Sequence, residues 1–182
     1  MSDAALAELE RALPRAAVRE VAPGYLADPR GRFTGTATAV LAPGCVDEVA
    51  RIVRVAAATG TPVVPFGGGT GLVGGHTLTE GAPPILVSLE RMAALRDIYP
   101  DEGVIIAEAG AILQDVQAAA ARVGLLFPLS LASQGSCRIG GNLATNAGGL
   151  NVLRYGNARD LCLGLEAVLP DGSVWHGLKR LR

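Results

Sequence analysis

Apolar positions along the chain alternate between helical and strand spacing, and the switches outline its elements. Ser2 and Asp3 precede Leu6, Leu9 and Leu13, which predicts a short capped amphipathic helix ended by Pro14. Residues 18–33 carry Pro23, Gly24, Pro29 and Gly31 and read as irregular. Thr38 to Leu41 is a short strand stopped by Pro43-Gly44. Asp47 and Glu48 then open a helix whose dipole they favour, with Val49, Ile52, Val53 and Ala56 on one face and Gly60 at its end. Val63-Val64 is the next strand. A strand, a helix and a strand at this spacing make a β-α-β unit with parallel strands and a right-handed crossover.

Pro84 to Leu89 is a third strand. Leu95–Tyr99 and Val104–Glu108 flank the turn Pro100-Asp101-Glu102-Gly103 and predict a hairpin. A helix from about Ile112 to Arg122 buries Leu113, Val116 and Ala120 and stops at Gly124. Residues 164–169 and 173–175 flank Pro170-Asp171-Gly172, a second hairpin. The pattern changes near Arg91 from parallel β-α-β to antiparallel hairpins. The expected class is α+β: a lead-in over 1–34, then two small lobes, about 35–91 and about 92–182, with a cleft between them.

Two stretches fit neither period. Pro65-Phe66-Gly67-Gly68-Gly69-Thr70-Gly71-Leu72-Val73-Gly74-Gly75 follows the second strand directly. Its glycines give up more backbone entropy on ordering than any other residue would, so they mark a sharp turn or a close approach. Successive N–H groups turned into one concavity bind phosphate oxygens, and the position at the carboxyl end of a strand in an open α/β sheet is where ligands bind. A plain flexible loop would carry more polar residues than Thr70. A P-loop is excluded because there is no lysine before Lys179. A Rossmann fingerprint can be forced onto Gly67, Gly69 and Leu72, with Glu90 near the required acid. However, Gly74, Gly75, Gly81, Pro83 and Pro84 forbid the helix that must follow. The loop itself must hold the phosphates.

The second stretch, Ser133 to Gly149, combines Gly135, Gly140, Gly141, Gly148 and Gly149 with Ser136, Asn142, Thr145 and Asn146, and Arg138 is its one charge. Small polar side chains and bare backbone suit a flat neutral ligand hydrogen-bonded along its edge. Gly140-Gly141-Asn142 reads as the start of a helical turn able to offer amides to an anion. The competing reading is a long structural loop.

Composition narrows the partners. In 182 residues, 49% are hydrophobic and 18% charged, with formal net charge −1. This gives no electrostatic reason to expect nucleic acid. No apolar run is long enough for a transmembrane segment. Asp3 and Glu8 precede any arginine, unlike a secretory signal. Cys45, Cys137 and Cys162 fit neither a disulfide framework nor a zinc site, so a cytoplasmic setting is expected.

The residues 65–75, Met92, Glu108-Ala109-Gly110, Ile139-Gly140-Gly141-Asn142, Thr145 to Gly149, Tyr155-Gly156 and Leu165 to Gly172 together resemble the FAD-binding PCMH-type domain of the vanillyl-alcohol-oxidase superfamily. Within it the similarity is to FAD-linked 2-hydroxy-acid dehydrogenases of the D-2-hydroxyglutarate, D-lactate and glycolate oxidase types. Leu131 to Cys137 and Leu153 to Asn157 tilt it toward the D-2-hydroxyglutarate branch. The resemblance spans about residues 20–182.

It implies FAD held between the two lobes. Pro65 would shape the first loop, and Gly67, Gly68, Gly69, Thr70 and Gly71, with neighbouring Leu72, would hold the pyrophosphate. Gly135, Ser136, Ile139, Gly140, Gly141, Asn142, Thr145 and Asn146 would line the rest of the cofactor. It implies a small-molecule 2-hydroxy acid substrate, oxidised to the 2-oxo acid by hydride transfer to flavin N5. The electron acceptor and the state of assembly, homodimer or heteromeric subunit, stay open.

Phe66 departs from relatives that carry a polar or basic residue there, which would weaken phosphate contacts. Thr70 stands where covalent members carry the flavin-linked histidine, so noncovalent FAD is expected. His76 is displaced from that position and reads as a loop or surface histidine, and His176 as exposed.

Family members continue into a substrate domain that supplies the catalytic base and a divalent-metal site. The chain is therefore expected to be an amino-terminal part, with no catalytic residue or metal ligand of its own. The alternatives are another FAD-dependent alcohol oxidase, an enolpyruvyl-UDP-sugar reductase of the same fold, or a noncatalytic nucleotide-binding module.

Overall fold

The structure is a computed structural model and describes residues 3–178. Two compact units make up the chain, Met1–Arg91 with Glu166–His176, and Met92–Leu165 with Gly177–Arg182.

In the first unit, α1 (Asp3–Ala12) is followed by β1 (Val18–Arg19), α2 (Pro23–Leu26), β2 (Ala39–Leu41), α3 (Val46–Thr59), β3 (Val63–Phe66) and β4 (Ile85–Ser88). The expected Ser2 cap lies outside the described residues. The four strands form one sheet in the order β1-β2-β4-β3. β4 is the centre: Ile85 stands opposite Ala39 of β2 and Val63 of β3, both parallel. The β-α-β unit is thus parallel as predicted, but β4 separates its two strands. Ile85, Leu86 and Val87 are all buried, as are Ala39, Val40 and Leu41. A parallel strand covered on both faces reads as a continuous apolar run, which is why these segments show no alternation.

α3 ends at Gly60, whose φ of 62° is left-handed. Ile52 and Ala56 face the core with Leu9, Leu13, Leu41 and Ile85. Each such leucine or isoleucine removed from water contributes about 1.5–3 kcal/mol. Val55, outside the predicted stripe, also packs there.

The segment expected to be irregular is largely so, but it holds a two-residue strand and a turn of helix. Val18–Arg19 pairs antiparallel with Val40–Leu41, closing the sheet edge. The C-terminal hairpin, β7 (Leu165–Val168) with β8 (Val174–Gly177), was expected in the second lobe. Residues 166–176 group with the first unit instead. The physical reason is contact at its turn: Gly172 is buried so tightly on α3 that a Cβ there would overlap Arg54 and press on the Ala50 carbonyl.

The second unit holds the predicted hairpin β5 (Leu95–Tyr99) and β6 (Val104–Ala107), antiparallel, with Tyr99 opposite Val104. α4 (Leu113–Arg122) buries Leu113, Val116, Ala119 and Ala120. Two short helices follow, α5 (Ile139–Ala144) and α6 (Val152–Tyr155). The core of this unit is Leu113, Leu129, Cys137 and Ala158, with Ile139 and Leu143 packed against it.

Candidate functional site

The first glycine loop leaves β3 after Phe66 and does not open a helix. Every amide from Gly67 to Val73 is without a hydrogen bond in the described chain. Backbone amides are strong donors that folded chains normally pair. A run of them turned out of the ladder, with partly exposed backbone, is a donor surface suited to anionic oxygens. Gly69 adopts φ 66° and Gly74 φ 70°. These are the positions where glycine is required. Gly68 has ordinary backbone. Leu72 is 43% exposed and Val73 83%, so their side chains point away from the unit rather than filling its core. Pro65 is exposed on β3, opposite Val87.

Beneath the loop lies an aromatic floor that the sequence did not announce. Phe66 is buried, and its ring tip stands 3.0 Å from where a Gly69 Cβ would project. Tyr25 meets Phe66 edge to face at 5.1 Å between centroids, and His76 does so from another side at 5.5 Å. His76 is therefore not a surface histidine: it is buried, its Nε2 lies 3.4 Å from the Ala27 carbonyl, and its ring Nδ1 faces Gly71. An imidazole is accepted here because one ring nitrogen meets a carbonyl and the ring packs T-shaped against Phe66. Phe33 lies under Gly74, 3.0 Å from a built Cβ. Asp28 holds Phe33 in place by accepting from the Phe33 amide at 2.8 Å and the Arg30 amide at 3.1 Å. Those amides, the Phe33 amide first, hold the Asp28 carboxyl below its ordinary value.

Tyr25 is itself fastened. Its hydroxyl donates to Glu90 at 3.0 Å, Arg19 Nε donates to Glu90 at 2.6 Å, and the Ser88 hydroxyl donates at 3.2 Å. Burial pushes the Glu90 carboxyl up, but the Arg19 and Tyr25 hydrogen bonds outweigh it and the net shift is down. Burial, then the bond to Glu90, pushes the Tyr25 phenol up. Glu90 is thus a fastening carboxylate, not the free acid of a nucleotide fingerprint. An Asp28-Pro29-Arg30-Gly31 turn was the available signal for this support.

The second glycine loop lies in the other unit, and its amides are engaged differently. The amides of Ile139 and Gly140, the first two of α5, donate to the Ala111 and Ala109 carbonyls at 3.0 and 2.7 Å. Of the three amides expected to face an anion, Gly140 is thus taken by Ala109 and Asn142 donates to the Arg138 carbonyl at 3.0 Å, so that part of the expectation is corrected: these bonds hold the loop in shape and tie it to the turn before α4. Gly140 permits that approach, since a Cβ there would come within 2.8 Å of the Ala109 Cβ. A Cβ on Gly149, φ 124°, would overlap the Ser130 carbonyl oxygen.

Ile139 packs into the core, and Asn142 is buried with its Nδ2 3.6 Å from the Cys137 sulfur. Thr145 is exposed and donates to the Gly141 carbonyl at 2.9 Å. Asn146 takes a left-handed φ of 49° and accepts from the Arg159 amide. Gly135 and Ser136 are exposed, while Gly141 has open space at its Cβ position. Arg138 does not present its charge outward: Nη1 donates to the Gly110 carbonyl at 2.5 Å, and Nε is buried without a partner.

His176 is exposed and lies 3.0 Å from Glu166. Among the described residues no cluster of three or more His, Cys, Asp or Glu could hold a metal ion. No described helix is long and apolar enough to cross a membrane.

Residues 37–177 match the family model described as the FAD binding domain. A D-2-hydroxyglutarate dehydrogenase of Xanthomonas citri pv. viticola is 38% identical over 96% of this chain, which spans 37% of that protein. The mitochondrial D-2-hydroxyglutarate dehydrogenase of Bos taurus is 39% identical over 100% of the chain, which spans 34% of it. The chain thus covers about a third of these relatives. Among solved structures, an alkyldihydroxyacetonephosphate synthase superposes over 100% of the chain and 35% of its own length, with TM-score 0.85 at 18% identity. The 6-hydroxy-D-nicotine oxidase of Arthrobacter nicotinovorans covers 85% of the chain, 34% of its own, with TM-score 0.71 at 24% identity. These last two likenesses concern the fold alone, which is the mixed α and β, PCMH-type architecture built from small sheets. With the family model matched from strand β2 through hairpin β7–β8, and the glycine loop at the end of β3 inside that span, the chain belongs to the FAD-binding domain family.

Proposed function

We propose that this chain is the FAD-binding part of a flavin-dependent dehydrogenase that oxidises a D-2-hydroxy acid to the 2-oxo acid. The observation that carries the cofactor assignment is the unengaged amide run Gly67–Val73 at the carboxyl end of a parallel strand, with left-handed Gly69 within it. Such a surface fits a pyrophosphate, and Gly67, Gly68, Gly69, Thr70 and Gly71 would hold it, with Pro65 and Leu72 at its ends. Gly135, Ser136, Gly141, Thr145 and Asn146 offer exposed or half-exposed polar backbone and side chains for the remainder of the cofactor. Ile139, Gly140 and Asn142 act behind them, as the packing and hydrogen bonds that hold that loop in shape.

Bound flavin supplies a hydride acceptor for the substrate α-carbon; the protein's part is to bind and orient it. The substrate class is supported by the names of the two D-2-hydroxyglutarate dehydrogenases above. A base and a carboxylate-binding cation, which the reaction needs, we place outside this chain together with any divalent metal.

The FAD is proposed to be noncovalent. Thr70 has no imidazole, and His76 is held inward against Phe66 and Ala27. Cys45, Cys137 and Cys162 are all free thiols, which supports a reducing compartment such as the cytoplasm.

The test is the complete protein, purified and scanned for flavin absorbance, then acid-precipitated and assayed for dye reduction with D- and L-2-hydroxy acids. Flavin released to the supernatant and reduction with a D-acid are expected. A colourless protein that takes up no FAD, or reduction by L-acids alone, overturns the proposal.

A further inference from the structure

We infer that Tyr25, Phe66 and His76 form a positioning floor for the pyrophosphate loop, and that Glu90 is the residue that fastens it; this rests on the FAD reading above. The residues come from four separate places, α2, the end of β3, the loop after it, and the residue two past β4. They meet at one spot.

Phe66 touches the underside of Gly69, the residue whose left-handed φ turns the amide run outward. Gly69 has no side chain with which to hold its own conformation, and glycine populates left- and right-handed backbone about equally. Something outside it must select the state. Phe66 is the group packed there, its ring tip 3.0 Å from where a Gly69 Cβ would project, and Phe66 is in turn braced by T-shaped contacts with Tyr25 and His76. The Tyr25 ring is anchored by its hydroxyl on Glu90, whose other oxygen is held by Arg19. None of these side chains has a hydrogen bond to the amides from Gly67 to Val73. Their role is to reduce the ordering that binding would otherwise have to supply.

Phe66, which offers the phosphates no polar group of its own, takes a different part in this reading. It is a support acting from below, while the phosphates are left to backbone amides.

The test uses the complete protein. Phe66→Tyr keeps the buried ring and both ring contacts but drives a hydroxyl from the ring tip toward Gly69. Overpacking of that kind is expected to weaken FAD about tenfold or more. Riboflavin, which has no pyrophosphate, should bind as before, and the two 31P resonances of bound FAD should shift. Tyr25→Phe and Glu90→Gln should each weaken FAD about threefold, and together no more than either alone, since they break one link.

If wild-type protein binds no FAD, the functional reading fails. If wild type binds FAD while Phe66→Tyr leaves both affinity and the 31P shifts unchanged, the floor is refuted with the function intact. Equal losses for FAD and riboflavin, or additive losses for Tyr25→Phe with Glu90→Gln, would refute it too, by showing general damage in place of a loop effect.

Discussion

The two glycine-rich loops look alike in sequence and differ in what their glycines do. From Gly67 to Val73 the amides bond to nothing among the described residues, and Gly69 supplies the left-handed turn within them. From Ile139 onward the first amides of α5 are engaged with Ala109 and Ala111, and the glycines let backbone approach backbone. Gly140 and Gly149 sit where a single Cβ would strike Ala109 or Ser130. One loop uses glycine to present donors, the other to pack. A count of glycines cannot separate these uses, because both need the same missing Cβ. They separate only when each amide is traced to its partner.

The largest expected effect breaks the packing loop. Gly149→Ala would need a Cβ in the space of the Ser130 carbonyl oxygen at an unfavourable φ of 124°. It should cost about 3 kcal/mol or more of stability. Chemical denaturation of the apoprotein checks this, and a loss under 1 kcal/mol, roughly the cost of ordinary strain, would mean that the loop is not packed as described.

Gly69→Ala should invert the pattern. The left-handed backbone costs an alanine only about 1–2 kcal/mol, yet the Cβ would press on the Phe66 ring that supports the loop from below. FAD affinity should fall about tenfold or more while the unfolding midpoint moves little. Equilibrium dialysis against FAD, run beside thermal denaturation, makes the measurement. If stability collapses and affinity survives, the roles of the two loops have been exchanged.

The sequence carried the elements far better than their purposes. Strands β2, β3 and β4, helices α3 and α4 and the β5–β6 hairpin were legible because apolar runs, acidic helix starts and glycine stops are local signals. Three things were not. β4 enters between β2 and β3, a choice made by packing and not by any residue in the crossover. Residues 18–33 looked irregular since Pro23, Gly24, Pro29 and Gly31 obscure a strand of two residues and a turn of helix. His76 looked like a surface residue because its partners, Phe66 and the Ala27 carbonyl, are found only when residues distant in the chain are brought together. In the second loop the half-buried Ile139 packs on the core and Asn142 is buried, which no local signal in the sequence announces.

A pH titration sharpens the same comparison. Glu90 has its carboxyl held below the ordinary 4.5, so its share of the first loop's support is fully present above about pH 4.5 and is lost as pH falls through the lowered value. Tyr25 is pushed above 10.0, so its share is present below about pH 10 and is lost as pH rises through the raised value. FAD affinity should be flat between these limits as far as this pair is concerned. Its acid limb should shrink in Glu90→Gln and its alkaline limb in Tyr25→Phe. Identical limbs in both variants and wild type would remove the pair from control of the loop.

The smallest effect is the most discriminating for the second loop. Gly141 lies inside α5, has ordinary helical backbone and has nothing within 4 Å of its Cβ position. By helix propensity alone Gly141→Ala should stabilise the apoprotein by about 0.5–1 kcal/mol. If that loop serves packing only, FAD affinity stays as it was. If Gly141 also lines the cofactor, as proposed, the new methyl occupies part of the space the cofactor needs, and affinity falls by about threefold or more while stability rises. Opposite signs in the two measurements are expected. A gain in stability with unchanged affinity would confine cofactor contact in this loop to its exposed residues Gly135, Ser136 and Thr145 and the half-buried Asn146.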